Sequence, residues 1–131
     1  MKNITTIKLN KEFKRAYFQG KYKPHPLLVT YLVKNRLGIN RVGITTSKKI
    51  GKAVERNRAR RVIRAAYLQI RDQIDFPCGY DLVFVARSKT AETKSTELEK
   101  VMLKQLRFLL SQNQQKTKQK KAVYPKKDEA K

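Results

Sequence analysis

Basic side chains are concentrated in the stretch KKIGKAVERNRARRVIR, residues 48–64. It contains eight Lys and Arg residues and a single acid, Glu55. Apolar residues recur at helical spacing from Ala53 to Gln73, which predicts a helix there. At about 100° per residue, one side of this helix spans roughly 140° and is polar and basic. That side carries Arg56, Asn57, Arg60, Arg61 and Arg64.

The opposite side of the same helix is predicted to be its buried stripe. It carries Ala59, Val62, Ile63, Ala66 and Ile70. Arg58 falls between the two sides, so we expect it to edge the core or to reach a different partner from the other arginines. A solvated charged face normally mixes signs in i,i+4 pairs, whereas this face is dominated by arginine, whose flat fork suits phosphate. The pattern therefore favours phosphate binding over a solvated face.

Three aromatic residues accompany this basic surface. Phe13 and Tyr17 are four residues apart on a predicted helix, so they share a face, and Tyr31 lies in a predicted strand. Core packing is the better explanation for any one of them taken singly. Taken together, they could form a stacking platform for single-stranded nucleic acid.

The overall charge points to a polyanionic partner, with nucleic acid as the first candidate and an anionic membrane as the second. The chain of 131 residues has 32 Lys and Arg against 10 Asp and Glu, a net charge of +22, and such repulsion usually persists because a polyanion neutralises it. No apolar run approaches the roughly 18–20 residues needed to span a bilayer, and the N-terminus lacks the apolar region of a secretory signal. The single cysteine, Cys78, excludes an intramolecular disulfide and fits a reducing cytoplasm.

The elements that must position these residues indicate an α+β fold, with one layer of sheet packed against helices. We expect strands 27–33 and 41–47 to pair antiparallel across a hairpin connection. Asn10 is predicted to be the N-cap of the first helix, and Gly20 to terminate it. The predicted order is helix 10–20, a possible short strand within 22–26, strands 27–33 and 41–47, helix 53–73, strand 80–86 and helix 97–110. The Gln- and Lys-rich segment 111–131 is predicted to be a disordered basic tail.

Residues that could do protein-based catalysis are scarce. His25 is the single histidine and lies between two prolines, and Asp72, Asp75 and Asp81 form no obvious ligand set. No phosphate-binding glycine motif is present in the sequence. This composition favours a binding protein whose chemistry is done elsewhere.

The segment RVGITTSKKIGKAVERNRARRVIRAAY resembles the signature region of the bacterial ribonuclease P protein subunit. NKEFKRAYFQGK resembles that family's first helix, LLVTYLV its aromatic-bearing strand, and CGYDLVFVAR its Gly-x-Asp strand. The resemblance implies an α+β domain over residues 1–110 with an unusual left-handed βαβ crossover, against the right-handed norm. It also implies a ribonucleoprotein in which a catalytic RNA removes the 5′ leader of precursor transfer RNA.

The resemblance also implies roles for individual residues. The leader cleft would be lined by Phe13, Tyr17 and Tyr31. The RNA-binding surface would comprise Arg56, Asn57, Arg58, Arg60, Arg61 and Arg64, extended by Lys48, Lys49 and Lys52. No catalytic residue is expected in the protein, because the RNA would carry the active site and hold most of the Mg²⁺, with one protein copy per RNA. The sequence departs from the family in Tyr17, where Phe is common, in Ala65, where many members carry an acid, and in a short N-terminal arm that is less basic than in some members.

Two other functions stay open at this point. A structural RNA-binding protein, such as a ribosomal protein, would explain the charge without predicting any dependence on a leader. A DNA-recognition helix would favour a dimer and a helix-turn-helix pair, and the sequence indicates neither.

Overall fold

The computed structural model describes residues 4–74 and 78–127, with side chains up to Gln112. In these ranges three α-helices accompany a four-stranded sheet, in the predicted order α-β-β-β-α-β-α. The elements are α1 (Asn10–Gln19), β1 (Lys21–Lys23), β2 (Leu28–Lys34), β3 (Arg41–Thr45), α2 (Ala53–Ile70), β4 (Tyr80–Ala86) and α3 (Ser95–Lys127). Two short 3-10 helices, Lys48–Ile50 and Thr90–Glu92, precede α2 and α3.

The strand order is β1-β2-β4-β3, which overturns one expectation. β2 and β3 follow each other in the chain, but they do not pair as an antiparallel hairpin. β4 lies between them, antiparallel to β2 and parallel to β3. The reason is the burial of apolar side chains. β4 is buried along almost its whole length, and a strand of this kind is most stable at the centre of a sheet that is covered on both faces.

The β3–α2–β4 segment is therefore a parallel βαβ unit. Its two strands are adjacent, with Val42 opposite Leu82 and Ile44 opposite Phe84. The left-handed crossover implied by the family resemblance stays a prediction. α2 begins at Ala53 as predicted and ends at Ile70, three residues before the predicted end at Gln73.

The last helix is longer than predicted. We expected it to cover residues 97–110 and a disordered tail to follow, whereas the helical backbone runs from Ser95 to Lys127. The segment beyond residue 110 is rich in Gln and Lys, which are good helix formers even where they have little apolar surface to bury. Residues 128–131 of the predicted tail lie outside the described residues, and a domain boundary at residue 110 stays a prediction.

One face of the sheet carries the main core. β2 and β4 contribute Leu28, Leu32, Leu82 and Phe84, all fully buried, and α2 and α3 pack against them. The predicted stripe of α3 is confirmed, because Leu98, Met102, Leu106 and Leu109 are all fully buried. The predicted stripe of α2 is buried except for Val62, which packs half-buried at the edge of the core, and Tyr67 adds a ring that sequence patterning did not predict.

The other face of the sheet carries a smaller cluster. Its fully or nearly buried members are Ile7, Ala16, Val33 and Val83. Partly buried around them are Phe13, Tyr17, Tyr31 and Val85. α1 is the helix that covers this face, and it covers only part of it.

Two glycines allow α1 to lie close to the sheet. A Cβ atom at Gly43 of β3 would come within 2.5 Å of the Phe13 ring, and one at Gly20 would lie 2.9 Å from the Leu32 carbonyl oxygen of β2. Both approaches are too short for any side chain. α1 therefore extends from β3 at Phe13 to β2 at its C-terminal end. None of the helices in the described ranges is long and apolar enough to cross a membrane.

Candidate nucleic-acid interface

The start of α1 sets the orientation of its two aromatic residues. Leu9, not the predicted Asn10, occupies the N-cap position, and the helix ends at Gly20 as predicted. The backbone N–H of Leu9 donates to the Glu12 carboxylate at 3.4 Å, which offsets one of the unpaired donors of the first turn. A carboxylate at this position also suits the positive end of the helix dipole.

A buried ion-pair network ties α1 to the sheet. Asp81 of β4 is fully buried and accepts two hydrogen bonds from the Arg41 guanidinium of β3, at 2.9 and 2.7 Å. The same guanidinium donates to Glu12 at 3.0 Å, and Arg15 of α1 lies 3.5 Å from Asp81. Asn35 Nδ2 completes the shell around Asp81 at 2.7 Å.

The network shifts the ionisation of its members. The hydrogen bond from Arg41 holds the pKa of Glu12 below its ordinary value. The hydrogen bond to Asp81 raises the pKa of Arg41, against the opposing effect of burial. Both shifts favour the charged forms, so the network is a set of opposite charges that stabilise each other.

A groove of about 630 Å³ lies where α1, β3 and α2 meet. Its lining combines Phe13 and Tyr17 from α1 with Arg60, Arg61 and Arg64 from α2. The three arginines are exposed and the two rings are partly buried. A groove lined by aromatic rings and arginine guanidinium groups can hold single-stranded nucleic acid. The rings stack on bases, and the guanidinium groups contact phosphates.

Tyr17 is fixed in this groove by contacts on two sides. Its hydroxyl forms a hydrogen bond of 2.8 Å with the hydroxyl of Thr45, which lies on β3. Its ring meets the ring of Tyr31 edge-on, with centroids 5.0 Å apart. Tyr31 does not line the same cavity but stacks on Tyr22 of β1 at 5.4 Å, and burial raises the pKa of the Tyr31 phenol.

Between Lys48 and Arg60, some polar and basic side chains donate hydrogen bonds to backbone carbonyl groups, and others are simply exposed. Arg56 is half-buried and donates to the Gly51 carbonyl at 2.8 Å, which ties α2 to the turn before it. Arg60 donates to the Ile44 carbonyl at 3.1 Å and remains exposed. Also exposed are Lys48, Lys49, Lys52 and Asn57. Arg56 therefore has a bracing contact that the helical angles alone did not predict.

Arg58 lies apart from the groove, as its helical angle predicts. It lines a second depression of about 540 Å³ between α2 and the start of α3, together with Ala65 and Lys94. Arg61 reaches both depressions. α2 thus presents arginines to two surfaces, and Arg58 belongs to the second one alone.

No cluster of His, Cys, Asp or Glu that could hold a metal ion exists among the side chains that the structure describes. Asp81, the one buried carboxylate among the described residues, is paired with Arg41. What this interface presents, among the described side chains, is cations and rings, which can bind a polyanion.

Comparison with known proteins agrees with this chemistry. The sequence profile of the family described as Ribonuclease P matches residues 1–111. The chain belongs to the ribonuclease P protein family. Members of this family are protein components of the ribonucleoprotein endoribonuclease that processes transfer RNA, which implies an RNA partner and decides against the ribosomal-protein and DNA-binding alternatives.

Relatives and solved structures extend the family assignment to most of the chain. The ribonuclease P protein component of Clostridium botulinum (strain Loch Maree) is 43% identical over 101 residues, 77% of this chain and 90% of that one. That of Thermoanaerobacter sp. (strain X514) is 41% identical over 79% of this chain and 87% of that one.

Among solved structures, the ribonuclease P protein of Staphylococcus aureus has a TM-score of 0.64 at 27% identity, covering 83% of this chain and 94% of that one. That of Thermotoga maritima has a TM-score of 0.65 at 26% identity, covering 76% and 92%. These similarities bear out the predicted family and fold class.

Sequence patterning missed several residues that shape the interface. Thr45 and Tyr22 complete the contacts of the predicted aromatics, and Arg41 with Asp81 holds the helix that carries two of them. Alternation in the KYK segment could have indicated the face on which Tyr22 lies. The Arg41–Asp81 pair has no local sequence signal, because it depends on β3 and β4 being neighbours.

Proposed function

We propose that this protein binds the catalytic RNA of ribonuclease P and the single-stranded 5′ leader of precursor transfer RNA, and so assists magnesium-dependent removal of the leader. The observation that carries the proposal is the groove shared by Phe13 and Tyr17 with Arg60, Arg61 and Arg64. A leader strand offers the two features that this lining suits, namely unpaired bases and a run of phosphates.

In the groove, the rings stack leader bases and the arginines neutralise leader phosphates. Base–aromatic stacking contributes about 1–3 kcal/mol per base with little sequence preference. That tolerance fits a subunit that must accept many different precursors. Tyr31 belongs to the leader cleft as the residue that fixes the Tyr17 ring, because the two rings are in edge-on contact.

The catalytic RNA is assigned to the remaining basic surface. Arg58 and Lys94 line the second depression, away from the leader groove. Lys48, Lys49, Lys52 and Asn57 are exposed around the start of α2, where RNA phosphates can approach without entering the groove. Arg56 supports this surface by bracing the turn before α2.

The chemical step is left to the RNA subunit, which would hold Mg²⁺. The protein's own contribution is to keep the leader bound while its arginines and lysines screen phosphate repulsion between the two RNAs. The protein should raise the affinity of the holoenzyme for precursor more than its affinity for mature product, since mature product lacks the leader. We therefore expect the protein to lower the Mg²⁺ and salt concentrations that cleavage requires.

The test is reconstitution with the cognate RNA subunit, comparing precursor and mature transfer RNA. The Phe13→Ala/Tyr17→Ala double variant should bind precursor at least about 1 kcal/mol more weakly, the minimum for losing a stacked base. Its affinity for mature product should stay close to that of the wild type. Phe18→Ala is the matched control, because Phe18 is on the same helix, 64% exposed and outside the groove.

Two outcomes would contradict the proposal. One is an equal loss of affinity for precursor and mature product, which would assign the two rings to the core. The other is cleavage at low Mg²⁺ that does not change when protein is added. The cytoplasmic location and the ratio of one protein to one RNA both stay predictions.

A further inference from the structure

Tyr22 is an exposed aromatic residue whose position the leader groove does not explain. It lies in β1, the edge strand of the sheet, and 57% of its surface is exposed. One face of its ring is covered by Tyr31, with centroids 5.4 Å apart and ring planes 26° from parallel. A ring that is stacked on one side and open on the other can take a further flat group on its open side.

Strand register places Tyr22 on the same face of the sheet as the leader groove. Tyr22 is opposite Tyr31, Tyr31 is opposite Val83, and Val83 is opposite Gly43. Residues directly opposite one another in neighbouring strands project to the same face. This row crosses all four strands and ends under Phe13, whose ring lies against Gly43.

The rings form a continuous series along that row. Tyr17 contacts Tyr31 edge-on, and Tyr31 stacks on Tyr22. The neighbouring lysines of β1 do not block the row, because alternate residues of a strand project to opposite faces. Lys23 accordingly lies over the Phe108 ring of α3, on the other side of the sheet.

We propose that Tyr22 forms an additional base-stacking position, which receives a leader nucleotide farther from the cleavage site than those held by Phe13 and Tyr17. This inference rests on the proposed function of the groove. Neighbouring strands are about 4.8 Å apart, so the row from β3 to β1 measures roughly 14 Å. At about 3.4 Å per nucleotide of a stacked strand, that distance corresponds to some four nucleotides.

RNA fits this position better than a protein partner does. The row is continuous with a groove lined by Arg60, Arg61 and Arg64, and the chain carries a net charge of +22. The cleavage site must lie near the catalytic RNA, which the proposal assigns to the α2 side. β1 forms the edge of the sheet opposite to β3. The upstream part of the leader is the part that would reach β1.

The test measures affinity of the reconstituted holoenzyme for precursors whose leaders are lengthened one nucleotide at a time. Tyr22→Ala should match the wild type for short leaders and fall about fivefold or more below it once the leader reaches β1. Tyr22→Phe keeps the ring and should follow the wild type at every length. An equal loss at all leader lengths, or no loss at any, would overturn the role of Tyr22.

A second variant covers the case in which removing the ring disturbs the fold. The chain contains no tryptophan, so Tyr22→Trp introduces a single fluorescent reporter that can still stack. Its emission should change when a long-leader precursor binds and stay constant with a short-leader precursor. Identical emission in both complexes would overturn the inference.

The two proposals fail in distinguishable ways. If wild-type affinity does not depend on leader length at all, the proposed function of the groove itself is wrong. If wild-type affinity rises with leader length and Tyr22→Ala follows it in parallel, only the inference about Tyr22 is wrong.

Discussion

The two faces of the sheet are made by the same strands and are built differently. The face toward α2 and α3 is closed by fully buried aliphatic and aromatic side chains such as Leu82 and Phe84. The face toward α1 has a smaller apolar cluster, half-buried rings such as Tyr31, and the charged Asp81 with its partners. The face toward α2 and α3 forms the main core, whereas the face toward α1 is only partly covered.

This difference follows from the alternation of side chains along β4. Leu82 and Phe84 project to the closed face, whereas Asp81 and Val83 project to the α1 face. We therefore expect stability to depend mainly on the first set of residues and the proposed leader groove to depend on the second. The fold can carry a net charge of +22 because its main core lies on the closed face, whereas the arginines of the groove are exposed.

The largest expected effect is on the closed face. Phe84→Ala removes a fully buried ring and should lower the free energy of unfolding by about 3–5 kcal/mol, as large core truncations do. Urea unfolding monitored by circular dichroism measures this. The leader-dependent part of precursor affinity should be unchanged under conditions where the variant is folded.

Tyr31→Ala is the matched variant on the open face, one strand away. It should cost less stability than Phe84→Ala, because the Tyr31 ring is only partly buried. It should instead reduce the leader-dependent affinity, since Tyr17 and Tyr22 both contact that ring. The reverse ranking would show that the two faces do not divide stability and binding between them.

The next effect concerns Asp81 on the α1 face. We expect this residue to contribute strongly both to the free energy of unfolding and to the leader-dependent affinity. Asp81→Ala leaves Arg41, which is 12% exposed, without its bidentate partner. We expect a loss of about 3 kcal/mol in unfolding free energy, the lower end for breaking a buried pair, because Arg41 keeps Glu12 as a partner.

The same substitution should weaken precursor binding more than binding of mature product. Arg15 and Arg41 connect Asp81 to α1, and α1 carries the two groove rings. Parallel binding assays with both RNAs measure this. A destabilised variant whose leader-dependent affinity equals that of the wild type would show that the network does not position α1.

The residues that local patterns could predict are those whose neighbours are close in sequence. The buried stripe of α3 follows from helical periodicity and the span of β4 from a near-continuous apolar run, and both are confirmed. The separation of Arg58 from the other arginines follows from helical angle alone. The bracing role of Arg56 could not be predicted this way, since it depends on the turn at Gly51.

Pairing between elements was harder to predict. The antiparallel β2–β3 hairpin is wrong because the burial of β4 decides the strand order, and burial is a property of the whole fold. The contacts of Tyr22 and of Asp81 depend on that order. The rings Phe13 and Tyr17 were predicted as a pair, but their position beside Arg60 required the arrangement of three elements.

A smaller effect distinguishes the two depressions on α2. Arg60→Ala, in the groove, should reduce the slope of log affinity for precursor against log salt by about 0.7, the value for one single-strand phosphate contact. Arg58→Ala makes the same change two residues away, outside the groove. It should weaken binding of the catalytic RNA and leave the leader-dependent slope unchanged. Equal effects of both variants on that slope would indicate a single, undivided arginine surface.

The smallest effect is a pH dependence at the start of α1. The Glu12 pKa lies below its ordinary value of 4.5 because Arg41 donates a hydrogen bond to the carboxylate. A depressed pKa means that the unfolded state binds protons more readily, so this contribution to stability is full at neutral pH and is lost as pH falls below 4.5.

Glu12→Gln removes the charge and keeps a side chain that can still accept a hydrogen bond from the Leu9 N–H at the N-terminus of the helix. The wild type should therefore unfold at higher urea concentration than Glu12→Gln at neutral pH, and the two midpoints should converge in acid. Midpoints that stay equally far apart across the acid range would show that the Arg41–Glu12 ion pair adds nothing to the attachment of α1.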